Sequence, residues 1–152
     1  MSFEVFKKMT RAGFTCGSFD LLHTGHAIML EECKNYCDYL TVGLQRDPSV
    51  DRAEKNRPIQ SLEERLKMLE AIRWVDEIMV YDTESDLYDY LKNAISTGDI
   101  NVRIIGDDWR GKDFTGHDLS LDVVFNNRDH CYSTSNLRKR VYIAESIKLE
   151  EV

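Results

Sequence analysis

The chain has 152 residues, 42% hydrophobic and 31% charged, with 20 basic against 27 acidic side chains and a formal net charge of −7. That balance describes one globular domain, 1–152, able to bury about two thirds of its unfolded surface without a disulfide or metal staple. It excludes a protein built to coat nucleic acid or an anionic membrane, and no run of about 20 apolar residues exists to span a bilayer. Residues 1–8 lack the apolar core of a secretory signal, and the four cysteines fit a reduced, cytoplasmic protein.

The first eleven residues fit no later pattern and stand as an N-terminal extension, read at most as a short extra helix. Short apolar runs then alternate with amphipathic stretches. Strands are expected at 13–16, 39–44, 75–80, 102–105 and 121–125, and helices near 25–37, 61–72, 84–97 and 134–148. Alternation of this kind, with continuous apolar strands, is the pattern of a parallel sheet covered by helices on both faces. Ser61-Leu62-Glu63-Glu64 fits a capping box, and Leu62, Leu66, Leu69 and Ile72 recur at helical spacing. Before that helix lies a polar loop, 45–60, carrying Arg46, Arg52, Lys55 and Arg57. It follows a strand, and open α/β sheets bind ligands outside the carboxyl ends of their strands. By composition alone it reads equally well as a solvated surface loop.

The strongest chemical signal is Gly17-Ser18-Phe19-Asp20-Leu21-Leu22-His23-Thr24-Gly25-His26, between the first strand and the first helix. A helix N-terminus offers free amides and partial positive charge, which favour phosphate. Gly17 and Gly25 permit close approach of backbone to ligand, and His23 and His26 can donate to charge developing on phosphorus. The bland alternative makes His26 the head of a buried stripe with Leu30, Cys33 and Cys37. A zinc site from the same residues fails, because His26 and Cys33 lie roughly 10 Å apart along a helix.

Later in the chain, Ser133-Thr134-Ser135 offers caps and amides at a second helix mouth, with Arg128 placed to clamp phosphate oxygens. Asp107 and Asp108 follow a strand, where paired acids could serve ribose, magnesium or a turn. Cys16, Cys131 and Trp74 read as packing residues.

The decapeptide resembles the G-[ST]-F-D-x-x-H-x-G-H signature of the cytidylyltransferase-like nucleotidyltransferase superfamily. Ala71 to Ile78 is similar to its "IRYVDEV" segment, Ile105 to Trp109 to "GDDW", and Arg128 to Ser135 to "RTEGISTT". The last two point more narrowly to the glycerol-3-phosphate cytidylyltransferases. The resemblance implies a Rossmann-like α/β fold, CTP and a small phosphorylated alcohol as partners, magnesium with the nucleotide, and a homodimer. It assigns catalysis to His23, His26 and Arg128. Nucleotide binding falls to Gly17, Ser18, Phe19, Gly25, Arg73, Asp108, Tyr132, Ser133, Thr134 and Ser135. Lys55 and Arg57 are candidates for the acceptor phosphate by charge and position. The residues assign no protein ligand to a metal.

Two departures qualify the resemblance. His130-Cys131 stands where the pattern has Glu-Gly, and the acidic stretch 81–87 stands where glycerol-3-phosphate enzymes tend to carry Trp and Lys. Those acids would suit a cationic alcohol such as phosphoethanolamine or phosphocholine. An adenylyltransferase and a non-catalytic nucleotide-binding module complete the alternatives.

Overall fold

The computed structural model describes residues 10–151, so all but the last two residues of the expected N-terminal extension lie outside the described residues. The strands are β1 (Ala12–Gly17), β2 (Tyr39–Gln45), β3 (Glu77–Tyr81), β4 (Val102–Gly106) and β5 (Asp122–Asn126). The helices are α1 (Thr24–Cys33), α2 (Leu62–Glu70), α3 (Glu84–Thr97) and α4 (Thr134–Glu150). Every strand pair is parallel, in the order β3-β2-β1-β4-β5. This is the Rossmann-like α/β sheet expected from the sequence, and strand order reverses between β1 and β4.

Period-two alternation along the central strands sorts side chains onto two cores. Leu40, Val42, Leu44, Val102 and Ile104 face α1 and α2, and cluster with Leu30, Cys33 and Leu69. On the other face Phe14 and Tyr81 pack with Leu87, Leu91 and Ala94 of α3. The last helix joins neither core: α4 buries none of its residues.

The first helix ends at Cys33, four residues before the expected end. The amides of Lys34, Asn35 and Tyr36 reach back only three residues, to Glu31, Glu32 and Cys33, so the chain tightens into turns. Cys37 still falls in the core because the tightened turn keeps it on the buried side. Ser61 and Glu64 form the expected capping box at α2, with reciprocal bonds of 3.1 and 2.7 Å.

Two buried charged residues hold the rim where the strands end. The Asp20 carboxylate accepts the amides of Ile59 (2.9 Å) and Gln60 (3.0 Å), and Gln60 Oε1 accepts the amide of Leu21 (2.8 Å). Arg65, on the buried side of α2, donates to the carbonyls of Ser18, Gln45 and Arg46 at 2.9, 2.7 and 2.6 Å. The decapeptide and the 45–60 loop are thus one bonded unit. Phe19 and Leu21 adopt left-handed backbone, φ 48° and 51°, a strain that this bonding sustains.

Removing the acceptor tests that unit. Asp20→Ala leaves two amides unsatisfied and should cost about 1–3 kcal/mol, read as a lower urea midpoint with the m-value unchanged. Proteolysis within 45–60 should quicken at the same time. A midpoint equal to that of the parent protein would show that the two segments are held independently.

Candidate active site

The His pair builds its own helix start. His23 is the N-cap of α1 and its Nδ1 accepts the amide of Gly25 (3.1 Å), while His26 Nδ1 accepts the amide of His23 (3.2 Å). This is a capping box made of two imidazoles in place of Ser and Glu. Because each Nδ1 accepts, each neutral ring carries its proton on Nε2. The rings lie 3.9 Å apart between centroids, and Phe19 packs 5.3 Å from His26 on the core side. Burial is the main cause that pushes His26 down to about 3, helped by His23 and Arg128 against the opposing pull of Asp20. Burial and His130 also lower His23. At neutral pH both rings are therefore uncharged N–H donors.

The two helix mouths meet. His23 Nε2 lies 3.0 Å from Thr134 Oγ1, at the start of α4, where Ser133 caps the amide of Asn136 (3.1 Å). Around this junction is a cleft of about 170 Å³ lined by both histidines, Gly25, Arg128, Tyr132 and Ser133, among others. A Cβ on Gly25 would stand 3.0 Å from His23 Cε1 and 3.1 Å from the Tyr132 carbonyl, so glycine lets the mouths close. Gly106 does the same for the arginine: a Cβ there would fall 2.5 Å from Arg128 Nη2 and from Asp108 Oδ1. Arg128 and Asp108 face each other at 3.4 Å.

Arg128 and Met29 also line a larger cleft of about 410 Å³, which runs on over the reversal point between β1 and β4. Four cations, Arg52, Lys55, Arg103 and Arg128, face it against two carboxylates, Glu84 and Asp113. Gly17, Ser18 and Trp109 line it as well. Three buried polar atoms on its walls have no partner among the described residues: Arg52 Nε, Arg103 Nε and Asn126 Oδ1. Such orphans are rare where no ligand is expected.

Comparison with known proteins shows the family. The cytidylyltransferase-like family model matches residues 14–140. The chain belongs to the cytidylyltransferase-like family of nucleotidyltransferases. It is 34% identical over 128 residues to the glycerol-3-phosphate cytidylyltransferase of Bacillus subtilis, covering 84% of this chain and 94% of that one. It is 33% identical over 129 residues to the bifunctional protein HldE of Aliarcobacter butzleri, but spans only 26% of that relative's length. Among solved structures it resembles the lipopolysaccharide core biosynthesis protein of Thermoplasma volcanium, with TM-score 0.62 and 25% identity over 80% of this chain and 99% of that one.

Around these two clefts the expected residues separate into groups. His23, His26, Gly25, Arg128, Tyr132, Ser133 and Thr134 converge on the joined mouths, while Gly17, Ser18 and Lys55 face the larger cleft and Asp108 sits against Arg128. Phe19 turns inward, 2% exposed, and packs under His26 instead of facing a ligand. Arg57 points outward, 87% exposed and 4.0 Å from Asp47. Arg73 lies between α2 and β3, at the amino edge of the sheet, with its guanidinium 5.4 Å over Trp74, and lines neither cleft. Ser135 is exposed beyond the cap.

The sequence assigns Arg65 and Arg103 no role, and it shows Asp20 only within the decapeptide and Arg52 only among the basic residues of the 45–60 loop. Asp20 and Arg65 show as signals only through their backbone partners, and Arg103 is hidden inside an apolar strand.

The departures from the family pattern have physical substitutes. His130 Nδ1 accepts the amide of Tyr132 (3.2 Å), so the imidazole closes the loop in place of an acid. Cys131 is exposed instead of packed as expected, because it lies in the loop before α4, and it has no positive φ, so the missing glycine costs no strain there. The acids of 81–87 are engaged: Asp82 by Arg46 (2.7 Å), Glu84 by Arg52 (3.2 Å) and Thr115 (2.7 Å), and Asp86 by the amide of Thr83 (3.0 Å).

The buried neutral His26 makes stability depend on pH. Its folded pKa lies below the unfolded one, so below about pH 6.5 the unfolded chain binds a proton that the folded chain does not. The penalty grows by about 1.4 kcal/mol per unit as pH falls towards 3. Urea unfolding should lose about 2 kcal/mol from this group between pH 7 and pH 5, and His26→Gln should lack that share. An equal fall in both proteins would mean that the imidazole charges freely in the folded state.

Proposed function

We propose that the protein transfers the cytidylyl group of CTP to a small phosphorylated alcohol, glycerol 3-phosphate first, giving CDP-glycerol and pyrophosphate. The observation that carries this reading is the junction of two helix mouths at His23 and Thr134, beside a cleft whose cations outnumber its acids. A triphosphate suits the junction, because amides, hydroxyls and imidazole N–H groups there all donate.

An oxygen of the acceptor phosphate attacks the α-phosphorus in line. The bond from the α-phosphorus to the bridging oxygen breaks, and its electron pair leaves with pyrophosphate. Such a reaction is chiefly positioning and charge stabilisation. His26 and His23 donate from Nε2 to the oxygens of the crowded phosphorus centre, His23 giving up Thr134 to do so. Arg128 and the α4 amides near Ser133 and Thr134 hold the departing pyrophosphate, and Lys55 draws the acceptor phosphate towards the centre. Magnesium, when bound, shields the triphosphate charge. The junction's donor set suits the nucleotide's phosphates, and Asp108 is paired with Arg128, so the ion would enter with CTP. A cytoplasmic homodimer completes the reading on resemblance.

Glycerol 3-phosphate is supported by the likeness to the Bacillus subtilis relative over nearly its whole length. The chain is about as similar to the bifunctional protein HldE, so the alternative reading keeps the reaction and changes the base or the acceptor. Phosphoethanolamine and phosphocholine lose support because the acids of 81–87 are already paired.

Pyrophosphate release measured across CTP and ATP, each with glycerol 3-phosphate, phosphoethanolamine and phosphocholine, tests the proposal. CTP with glycerol 3-phosphate should give the highest kcat/KM, since a hydrogen-bonding base site rejects the wrong base strongly. Equal use of ATP would move the assignment to adenylyl transfer, and nucleotide binding without turnover would leave a binding module. His23→Ala should stay folded and lose about 10²–10³ in kcat. Near-normal turnover in that variant would sink the mechanism.

A further inference from the structure

We propose that Arg103, with Arg52 on the same cleft, is the anchor for the anionic group of the acceptor and so sets the enzyme's preference for a phosphomonoester. The proposal rests on the nucleotidyl-transfer reading, in which the triphosphate fills the joined helix mouths and leaves the larger cleft to the acceptor.

The argument begins with the position of Arg103 in β4. Its neighbours Val102 and Ile104 point into the core under α1 and α2, so Arg103 points the other way, onto Phe14 and towards α3. It is 3% exposed, as deeply buried as Arg65 at 2%. The two guanidiniums are served very differently. All three nitrogens of Arg65 donate to backbone carbonyls. Arg103 has one carbonyl, Thr115 at 3.2 Å, one thiol, Cys16 Sγ at 3.4 Å, and an Nε with no partner. Its guanidinium carbon lies over the rings of Phe14 and Phe114, 5.3 and 5.5 Å from their centroids.

Among the described residues, no carboxylate comes within 4.0 Å of Arg103. A buried cation held by one carbonyl, one thiol and aromatic faces is costly unless an anion completes it. Arg52, whose Nη2 is spoken for by Glu84 and Gln45, leaves its own Nε without a partner. Both arginines line the same cleft as Lys55.

The anion that fits is a phosphomonoester. It has several oxygens, so some can accept from the guanidiniums while another attacks the α-phosphorus. The attacking oxygen is already ionised, so no proton has to be removed. A cationic headgroup would meet four cations here against two acids, Glu84, which is occupied, and Asp113, which is 88% exposed. The Arg128 wall, shared by both clefts, brings the held phosphate up to the histidines.

The experiment measures binding and stability as well as turnover. Glycerol 3-phosphate is titrated calorimetrically into the protein saturated with pyrophosphate, which occupies the helix mouths, for the parent protein, Arg103→Met and Arg103→Lys. Arg103→Met should bind glycerol 3-phosphate at least about tenfold more weakly, with pyrophosphate affinity within about twofold of the parent. Its urea midpoint should be no lower, because the substitution removes an uncompensated buried charge. Arg103→Lys, which keeps the charge and loses the planar fork, should fall between the two, and it decides the matter if Arg103→Met does not fold. Parent-like affinity in the folded variants, or a lowered midpoint with affinity unchanged, would overturn the proposal by making Arg103 a structural residue. Arg103-dependent binding in a protein that releases no pyrophosphate would keep the cleft assignment and remove the reaction.

Discussion

The Arg65 guanidinium donates to carbonyls at the ends of β1 and β2 and at the start of α2, all from a side chain that is 2% exposed. Burial lowers its pKa, yet a guanidinium stays charged under any ordinary condition, so the desolvation has to be met by acceptors. The carbonyls at the ends of two adjacent parallel strands supply them. The carboxylate of Asp20 does the converse for the amides of Ile59 and Gln60. Together a buried cation and a buried anion, not paired with each other, fix a rim of loops that has little apolar surface of its own. The geometry of the His pair descends from this frame, because Phe19, held by the same loop, is the floor on which His26 rests.

Much of the fold was legible because its central strands, β1, β2 and β4, are buried on both faces and read as apolar runs. The expected strands overlap the observed ones to within two residues at each end. The errors have local causes. The first helix seemed four residues longer because a three-residue turn preserves the buried side for Cys37.

The joined helix mouths were legible for a similar reason, since glycine, histidine and hydroxyl residues at helix starts announce themselves in one dimension. The cleft's cations were not. An arginine inside a strand looks like a solvated position until pairing puts β1 on one side of it and β5 on the other. Lys55 and Arg57, two residues apart in a polar loop, cannot be told apart by composition, and only the folded loop sends one into the cleft and the other into solvent. The imidazole capping box was visible in the spacing of His23 and His26, but His is not among the usual capping residues. Its meaning therefore came with the bond pattern.

The last helix has a different consequence. The 17 residues of α4 bury nothing in either core, and yet its first turn is half of the cradle formed by the two helix mouths. An element secured at one end by a Thr–His bond has little packing to protect it, so occupancy of the cradle becomes part of what holds it in place. For any ligand bound only by the folded form, saturation at a hundred times its dissociation constant adds about 2.7 kcal/mol to stability. A nucleotide bridging both mouths would spend that contribution where the chain is least self-sufficient, making substrate a strut of the architecture as well as its cargo.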